Sequence, residues 1–360
     1  MSIFIDFHVL QTVPPSCVNR DDTGSPKTAV YGGAVRARVS SQAWKHAMRK
    51  KFKELFRSEE LGSRTKNVVE MVEHEICAID SSVDDAACHK KAIEVLTLAG
   101  IKLKSEKDKP EKADALFFMS NKQAKALAEC ALKLDLKDKG SKDIVKNALK
   151  DNPSVDIALF GRMAASDPTL NCDAAAQVAH AISTHAVQNE YDYFTAVDDL
   201  QEEDNAGAGH LGTVEFNSST LYRYATVNAS ELAETIGKEN TAETVRKFGQ
   251  AFICSMPTGM SNTFANNTLP DTVYVTIRTD QPVNLCGAFE KPIKKSNEGY
   301  AAESEKRLAE YAAKLYSRYD TAPVKEYGFG DSLGAEVVTL PLPKLLSELE
   351  KAVTDLVNEV

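Results

Sequence analysis

Apolar and polar residues alternate over residues 2–12, with Ile3, Ile5, Phe7 and Val9 on one face. That two-residue period predicts a half-buried strand. Pro14, Pro15 and the stretch Asn19 to Pro26 break it into a long loop. Alternation resumes over 35–40, where Val35, Ala37 and Val39 face one way and Arg36, Arg38 and Ser40 the other. Ser40 or Ser41 then caps a helix running to about Phe56, with Trp44, Met48, Phe52 and Leu55 at helical spacing for a core. Lys45, Arg49 and Lys53, at i, i+4 and i+8, form a second stripe on that helix. Helical patterns near 66–78, 84–99 and 113–134, separated by charge-rich breaks, predict a helical insertion over 60–150.

Val155 to Met163 reads as a strand ending in Gly161-Arg162-Met163, and a helix is expected from about Cys172 to Ala186. Tyr191 to Val197 is aromatic and β-branched, hence strand-like, and Thr213 to Thr226 returns as a long strand. Between them Glu202 to Gly209 is an acidic, glycine-bearing apex, so the two strands predict a protruding hairpin. The last third predicts a helix near 241–255, a strand over Val273–Ile277, a helix near 303–319 and a final amphipathic helix from about 343. Strands interleaved with helices in this way imply an α+β sandwich with an antiparallel sheet, of the ferredoxin-like or RNA-recognition-motif type, carrying insertions.

Charge changes this picture. The 360 residues carry a net charge of −9, which at first argues against a polyanionic partner. Residues 27–53, however, hold Lys27, Arg36, Arg38, Lys45, Arg49, Lys50, Lys51 and Lys53 and no acidic residue. Taking that +8 from −9 leaves −17 on the other 333 residues, so the chain has one localised anion site on an acidic body. An extended basic edge leads into a helix whose basic face begins one turn later. Ser40, Ser41 and the free N–H groups at the helix start add an anion seat, and Gly32-Gly33 makes either a close backbone approach to a ligand or a plain turn. The seven scattered cysteines form no C-x-x-C pair and read as reduced thiols. The first ten residues, with Asp6 and His8, do not read as a signal peptide, and no apolar run reaches the roughly 20 residues that cross a bilayer. A cytoplasmic protein is expected.

Chemistry-bearing motifs are sparse: no P-loop, dinucleotide fingerprint, H-E-x-x-H or G-x-S-x-G is present. His180 and His185 are five apart, which puts them on different faces of the expected helix. Asp198 and Asp199, adjacent on a strand, point to opposite faces. Asp21 and Asp22 either brace their loop through Asx-type bonds or hold Mg²⁺ beside a bound strand.

The runs Asn19-Arg20-Asp21-Asp22, Ser25-Pro26-Lys27, Tyr31-Gly32-Gly33, Arg36-x-Arg38-Val39-Ser40-Ser41-Gln42 and Lys45-x-x-Met48-Arg49-Lys50 resemble the CasC backbone subunits of type I-E CRISPR Cascade. The likeness continues through Val155 to Met163 and Ala179 to His185, and is densest over Asp192 to Gln201 and His210 to Thr213. It covers residues 1–56 and 153–226 well. One departure is Ala34 and Val35 after the glycine pair, where the family often carries basic residues.

The resemblance implies a hand-shaped subunit. A modified RNA-recognition-motif palm would be built from 1–58, 151–188 and 218–360, with helical fingers over 59–150 and a thumb β-hairpin over 189–217. It further implies copies aligned along one CRISPR RNA, with each thumb displacing every sixth nucleotide so that the guide pairs with target DNA in segments. Lys27, Arg36, Arg38, Ser40, Gln42, Lys45 and Arg49 would hold phosphates and sugars, together with Arg162, while Met163 would wedge against bases. Phe194, Thr195, Val197 and Leu211 would abut the displaced nucleotide. The implied partners are the guide RNA, target DNA through it, other copies of the chain, the large, small and guide-end-binding Cascade subunits and a recruited nuclease-helicase, with no membrane, metal or cofactor. The alternative is a metal-dependent ribonuclease using Asp21 or Asp22, as loop aspartates do in related subunits of type III complexes.

Overall fold

The computed structural model describes residues 2–105, 110–151, 153–164, 167–196 and 210–359. Its N-terminal part comprises strands β1 (Phe4–Ser16), β2 (Thr28–Tyr31) and β3 (Ala34–Val39), helix α1 (Ser41–Leu55) and strand β4 (Gly62–Thr65). Helices α2 (Val68–Ile79) and α3 (Asp85–Leu98) follow, then strands β5 (Leu103–Lys104), β6 (Lys112–Ala113) and β7 (Phe117–Ser120). Next come helices α4 (Asn121–Lys133), α5 (Ser141–Lys150) and α6 (Val155–Phe160), and strands β8 (Ala176–Val178), β9 (Ala181–Ser183), β10 (Glu190–Ala196) and β11 (His210–Asn228). Helices α7 (Ala229–Ile236), α8 (Lys238–Cys254) and α9 (Ser261–Phe264) precede strand β12 (Thr272–Arg278) and helix α10 (Ala301–Tyr319). Strands β13 (Lys325–Phe329) and β14 (Val338–Thr339) and helix α11 (Leu342–Glu359) end the described chain.

The protein is therefore a mixed α+β chain with a large, mostly antiparallel sheet. That sheet runs β14-β13-β12-β1-β11-β9-β3-β2, with β10 and β8 also pairing to β11. Strands β13 and β14 pair in parallel, whereas β1 with β12, β12 with β13, β9 with β11 and β3 with β9 are antiparallel. Two compact units result, one of residues 1–51, 178–226 and 248–352, the other of 52–177, 227–247 and 353–360.

In the first unit the alternation of β1 places Phe7 against Phe248 and Phe252 of α8, at ring separations of 5.8 and 6.3 Å. The opposite face of the sheet packs Leu10, Tyr222, Tyr224 and Tyr274 against Leu285, Phe289 and Leu308. Helices thus cover both faces of the central strands, which accounts for the near-continuous burial of β1 and β12. The second unit has its own core, in which Val72, Ile76, Val95, Leu96, Leu127 and Val145 of α2 to α5 pack together. No helix among the described residues is long and apolar enough to cross a membrane.

Two expected elements change type. The run Val155–Phe160 is a helix, closed by Gly161 at φ 74°. Residues 156–159 are all buried, and a short run buried on every side has no period to separate helix from strand. The alanine-rich stretch 172–186 forms β8 and β9 because β9 is sandwiched between β3 and β11, with Arg38 opposite Ile182 and Leu221 opposite Ser183. Tertiary pairing overrides helix propensity there. Helices α5 and α7 have no counterpart in the sequence pattern above, and the helix expected from 113 begins only at Asn121, after β7.

Candidate nucleic-acid interface

The β2–β3 hairpin turns on Gly32 and Gly33 at φ 57° and 75°, a two-residue turn that needs positive φ at both positions. A side chain on Gly32 would strike the carbonyl of Glu290, whereas Gly33 faces open space. At Gly32 the close approach that requires a glycine is therefore to the protein's own chain.

Next to this hairpin the 19–27 loop is braced from inside. The Lys27 amide donates to the Asn19 carbonyl at 2.8 Å, the Arg38 amide to the Lys27 carbonyl at 2.9 Å, and the Ser40 amide to Asn19 Oδ1 at 2.9 Å. Arg38 donates through Nε to the Thr28 carbonyl and through Nη1 to His180 Nδ1, both at 3.2 Å. A guanidinium only donates, so His180 Nδ1 accepts and the ring carries its proton on Nε2. Burial, then the charges of Arg38 and Lys27, hold the His180 pKa below its usual value. Lys27, Arg38 and His180 thus form one electropositive cluster at the hairpin. Sequence reasoning misses His180 because 172–186 reads as a helix. His180 directly precedes β9, whose pairing with β3 sets Ile182 opposite Arg38 and so brings the ring to that arginine.

The cluster leads into α1. Ser40 caps that helix, its hydroxyl accepting the Ala43 amide at 3.2 Å, and its residue is buried. Gln42 is exposed in the first turn, and Lys45 and Arg49 are half-buried one turn apart, with Lys50 and Lys53 exposed. Desolvation lowers the Lys45 pKa.

Two expected contacts are corrected by their surroundings. Arg36 is 0% exposed, and its guanidinium donates to the carbonyls of Ser183 (2.8 Å), Phe289 (2.9 Å) and Glu290 (3.2 Å). The period of β3 is legible but its faces are inverted at this point, since Val35 is exposed and the 285–290 turn covers Arg36. In the second unit Arg162 is also buried. It donates to the carbonyls of Leu170, Phe118 and Leu149 and to Gln123 Oε1 at 3.0–3.2 Å, with its guanidinium 4.9 Å from the Phe117 ring centre. Both arginines are internal struts. Met163, beside Arg162, is 85% exposed.

The hairpin of β10 and β11 sets Phe194 opposite Gly212 and Thr195 opposite Leu211. Val197 lies outside the described residues. The Phe194 ring covers Gly212 so closely that a Cβ there would collide with it, yet the residue keeps 42% of its surface exposed. Thr195 faces away from Phe194, on the side that carries exposed Tyr191 and Tyr193. The neighbours Phe194 and Thr195 are therefore presented on opposite faces. At the root, Phe216 packs on Phe264 at 5.8 Å, and Asn217 donates to Asn189 at 3.0 Å.

Asp21 Oδ1 accepts from the Thr23 amide and hydroxyl and the Ser25 amide at 2.7–3.1 Å, which lowers its pKa, the Thr23 hydroxyl first. That is the bracing role. Asp22 is exposed. Among the described residues no group of three or more His, Cys, Asp or Glu is arranged to hold a metal ion, and all seven cysteines are free thiols.

Fold and site together define a mixed α+β protein with a localised cationic surface and a β10–β11 hairpin. The CT1975-like protein family matches residues 5–349, and the chain belongs to that family. Among solved structures it is similar to a chain of a "CRISPR RNA-guided surveillance complex, pre-nicking", at 32% identity over 97% of this chain and 100% of that one, with a TM-score of 0.85. A chain of a "CRISPR RNA-guided surveillance complex" is 29% identical over 97% and 99% of the two chains, with a TM-score of 0.74. No curated protein matches.

Proposed function

We propose that this chain is the guide-binding backbone subunit of a Cascade-type complex, of type I-E, and that copies of it line up along one CRISPR RNA. The observation that carries this reading is the cluster of Lys27, Arg38 and His180 running into Gln42, Lys45 and Arg49 of α1, on a chain of net charge −9. Such a surface grips sugar-phosphate without reading sequence, which suits a complex in which base pairing does the reading. The large sheet serves as an RNA-recognition-motif-like palm, the 59–150 segment as fingers and the β10–β11 hairpin as a thumb. In this reading Phe194 supplies the apolar face that displaces one base, Thr195, Val197 and Leu211 also abut the displaced nucleotide, and Met163 acts as a wedge. The subunit is non-catalytic and cytoplasmic and works with the other Cascade subunits, a recruited nuclease-helicase and target DNA reached through the guide.

The reading is tested by isolating the protein from its native host and sequencing the nucleic acid that accompanies it. Guide-length repeat-spacer RNA is expected, and protein free of RNA would contradict the proposal. Incubating the assembled complex with complementary RNA and Mg²⁺ then probes the non-catalytic assignment. Intact RNA is expected, and cuts at regular intervals would overturn that assignment.

A further inference from the structure

β11 is a single 19-residue strand whose outer half builds the hairpin and whose inner half crosses the sheet between β1 and β9. Along the inner half Tyr222 and Tyr224 face one layer and Arg223 the other. Arg223 is 1% exposed, and the oxygens it bonds belong to an amide and a carbonyl, neither of them charged. Its guanidinium lies 3.7 Å from the centre of the Trp44 ring of α1 and 4.7 Å from that of Phe252 of α8. It donates through Nη1 to Gln11 Oε1 of β1 at 2.6 Å and through Nη2 to the Phe252 carbonyl, while Nε is left without a partner. Gln11 is held in turn, its amide donating to the Thr268 carbonyl at 2.8 Å.

A buried cation bonded to neutral oxygens is a poor way to stabilise a core. Desolvation lowers the Arg223 pKa to about 9, so burying this cation among neutral oxygens carries a cost of its own. What an arginine adds is direction. A planar guanidinium stacked on one ring and bonded in its plane to two oxygens admits a single relative placement of the elements it touches. Those elements are the strand that carries Phe194's partner Gly212 and the helix that carries Lys45 and Arg49, one residue and five residues from Trp44.

We infer that Arg223 is a positioning residue that locks the orientation of the hairpin-bearing strand against the cation-bearing helix through Trp44 and Gln11. The functional weight of that lock rests on the RNA-binding reading above, but the lock itself is a property of the free protein.

The test therefore has two arms. Fluorophores placed by bio-orthogonal chemistry at the exposed positions Lys50 and Thr213 report the helix-to-hairpin distance in single molecules of the full chain. The parent protein should give one narrow distribution. Arg223→Met, which leaves the Gln11 and Phe252 oxygens without their donor, should melt at a lower temperature yet stay folded at the measuring temperature and lose that narrow peak, and on guide-length RNA its nuclease footprint should lose periodic contrast. Arg223→Lys, which keeps the charge but not the plane, should broaden the distribution as well and serves as the second variant if the methionine protein does not fold. A folded variant with an unbroadened distribution would overturn the positioning role. If the parent protein binds no RNA, the functional reading falls while the distance distributions still decide this one.

Discussion

Replacing Arg36 by Ala separates a strut from a phosphate ligand. The guanidinium is 0% exposed and donates to three carbonyls, two of them on the fully buried residues Ser183 and Phe289. Orphaning two buried acceptors costs about 1–3 kcal/mol each, so a loss of roughly 3 kcal/mol is the low side of the expectation. For a unit of about 200 residues each kcal/mol shifts the melting point by about 2–4 °C, which predicts a fall of roughly 6–12 °C. Thermal unfolding by circular dichroism reads this directly. At a temperature where the variant is still folded, its RNA affinity should fall with salt along the same slope as the parent's, because every phosphate-binding cation is still in place. An unchanged melting point combined with a flattened salt slope would refute the assignment of Arg36 as a strut.

Lys45→Ala with Arg49→Ala should differ in the salt dependence, with the slope flattened by about 0.7 for each phosphate no longer neutralised. Filter binding between low and moderate salt measures it, and an unaltered slope counts against α1 as the grip. Gly212→Ala places a methyl where the Phe194 ring lies and should weaken RNA binding in the same direction as Phe194→Ala, by about 1–3 kcal/mol for each base that no longer stacks. A nuclease footprint with its rhythm intact in either variant would remove Phe194 from the role. His8 is wholly buried, shares a hydrogen bond with Tyr222 at 2.9 Å, and has its pKa lowered by desolvation to about 3. Its ring stays neutral in the fold while the unfolded chain takes up a proton near pH 6.5. Its contribution is therefore complete above that pH and is lost by about 1.4 kcal/mol per pH unit as the pH falls toward about 3. His8→Phe should flatten the acid limb of stability against pH, and identical acid limbs would show that another group governs it.

Much of this organisation is legible in the residues. The 3.6-residue spacing of Trp44, Met48 and Phe52 marks α1 correctly, and these side chains are buried. The aromatic run at 190–196 marks one strand of the hairpin, because period and composition agree there. The misreadings share one cause, which is that burial on a given side comes from partners distant in sequence. Val155–Phe160 carries strand-forming residues but is enclosed on all sides, and Gly161, a helix-stop signal, is the clue the sequence offers. Arg36 reads as outward by alternation, yet the 285–290 turn closes over it from the far end of the chain. His180 joins the cluster only because β9 pairs with β3. Gly32 resembles a ligand approach but makes room for the Glu290 carbonyl.

Ultraviolet cross-linking of the assembled protein to guide-length RNA, with the cross-linked peptides sequenced by mass spectrometry, tests the central claim most directly. The account predicts adducts concentrated in peptides from 27–53 and 190–216, with aromatic positions such as Phe194 prominent. Adducts confined to other segments, with those two stretches unmodified, would contradict it.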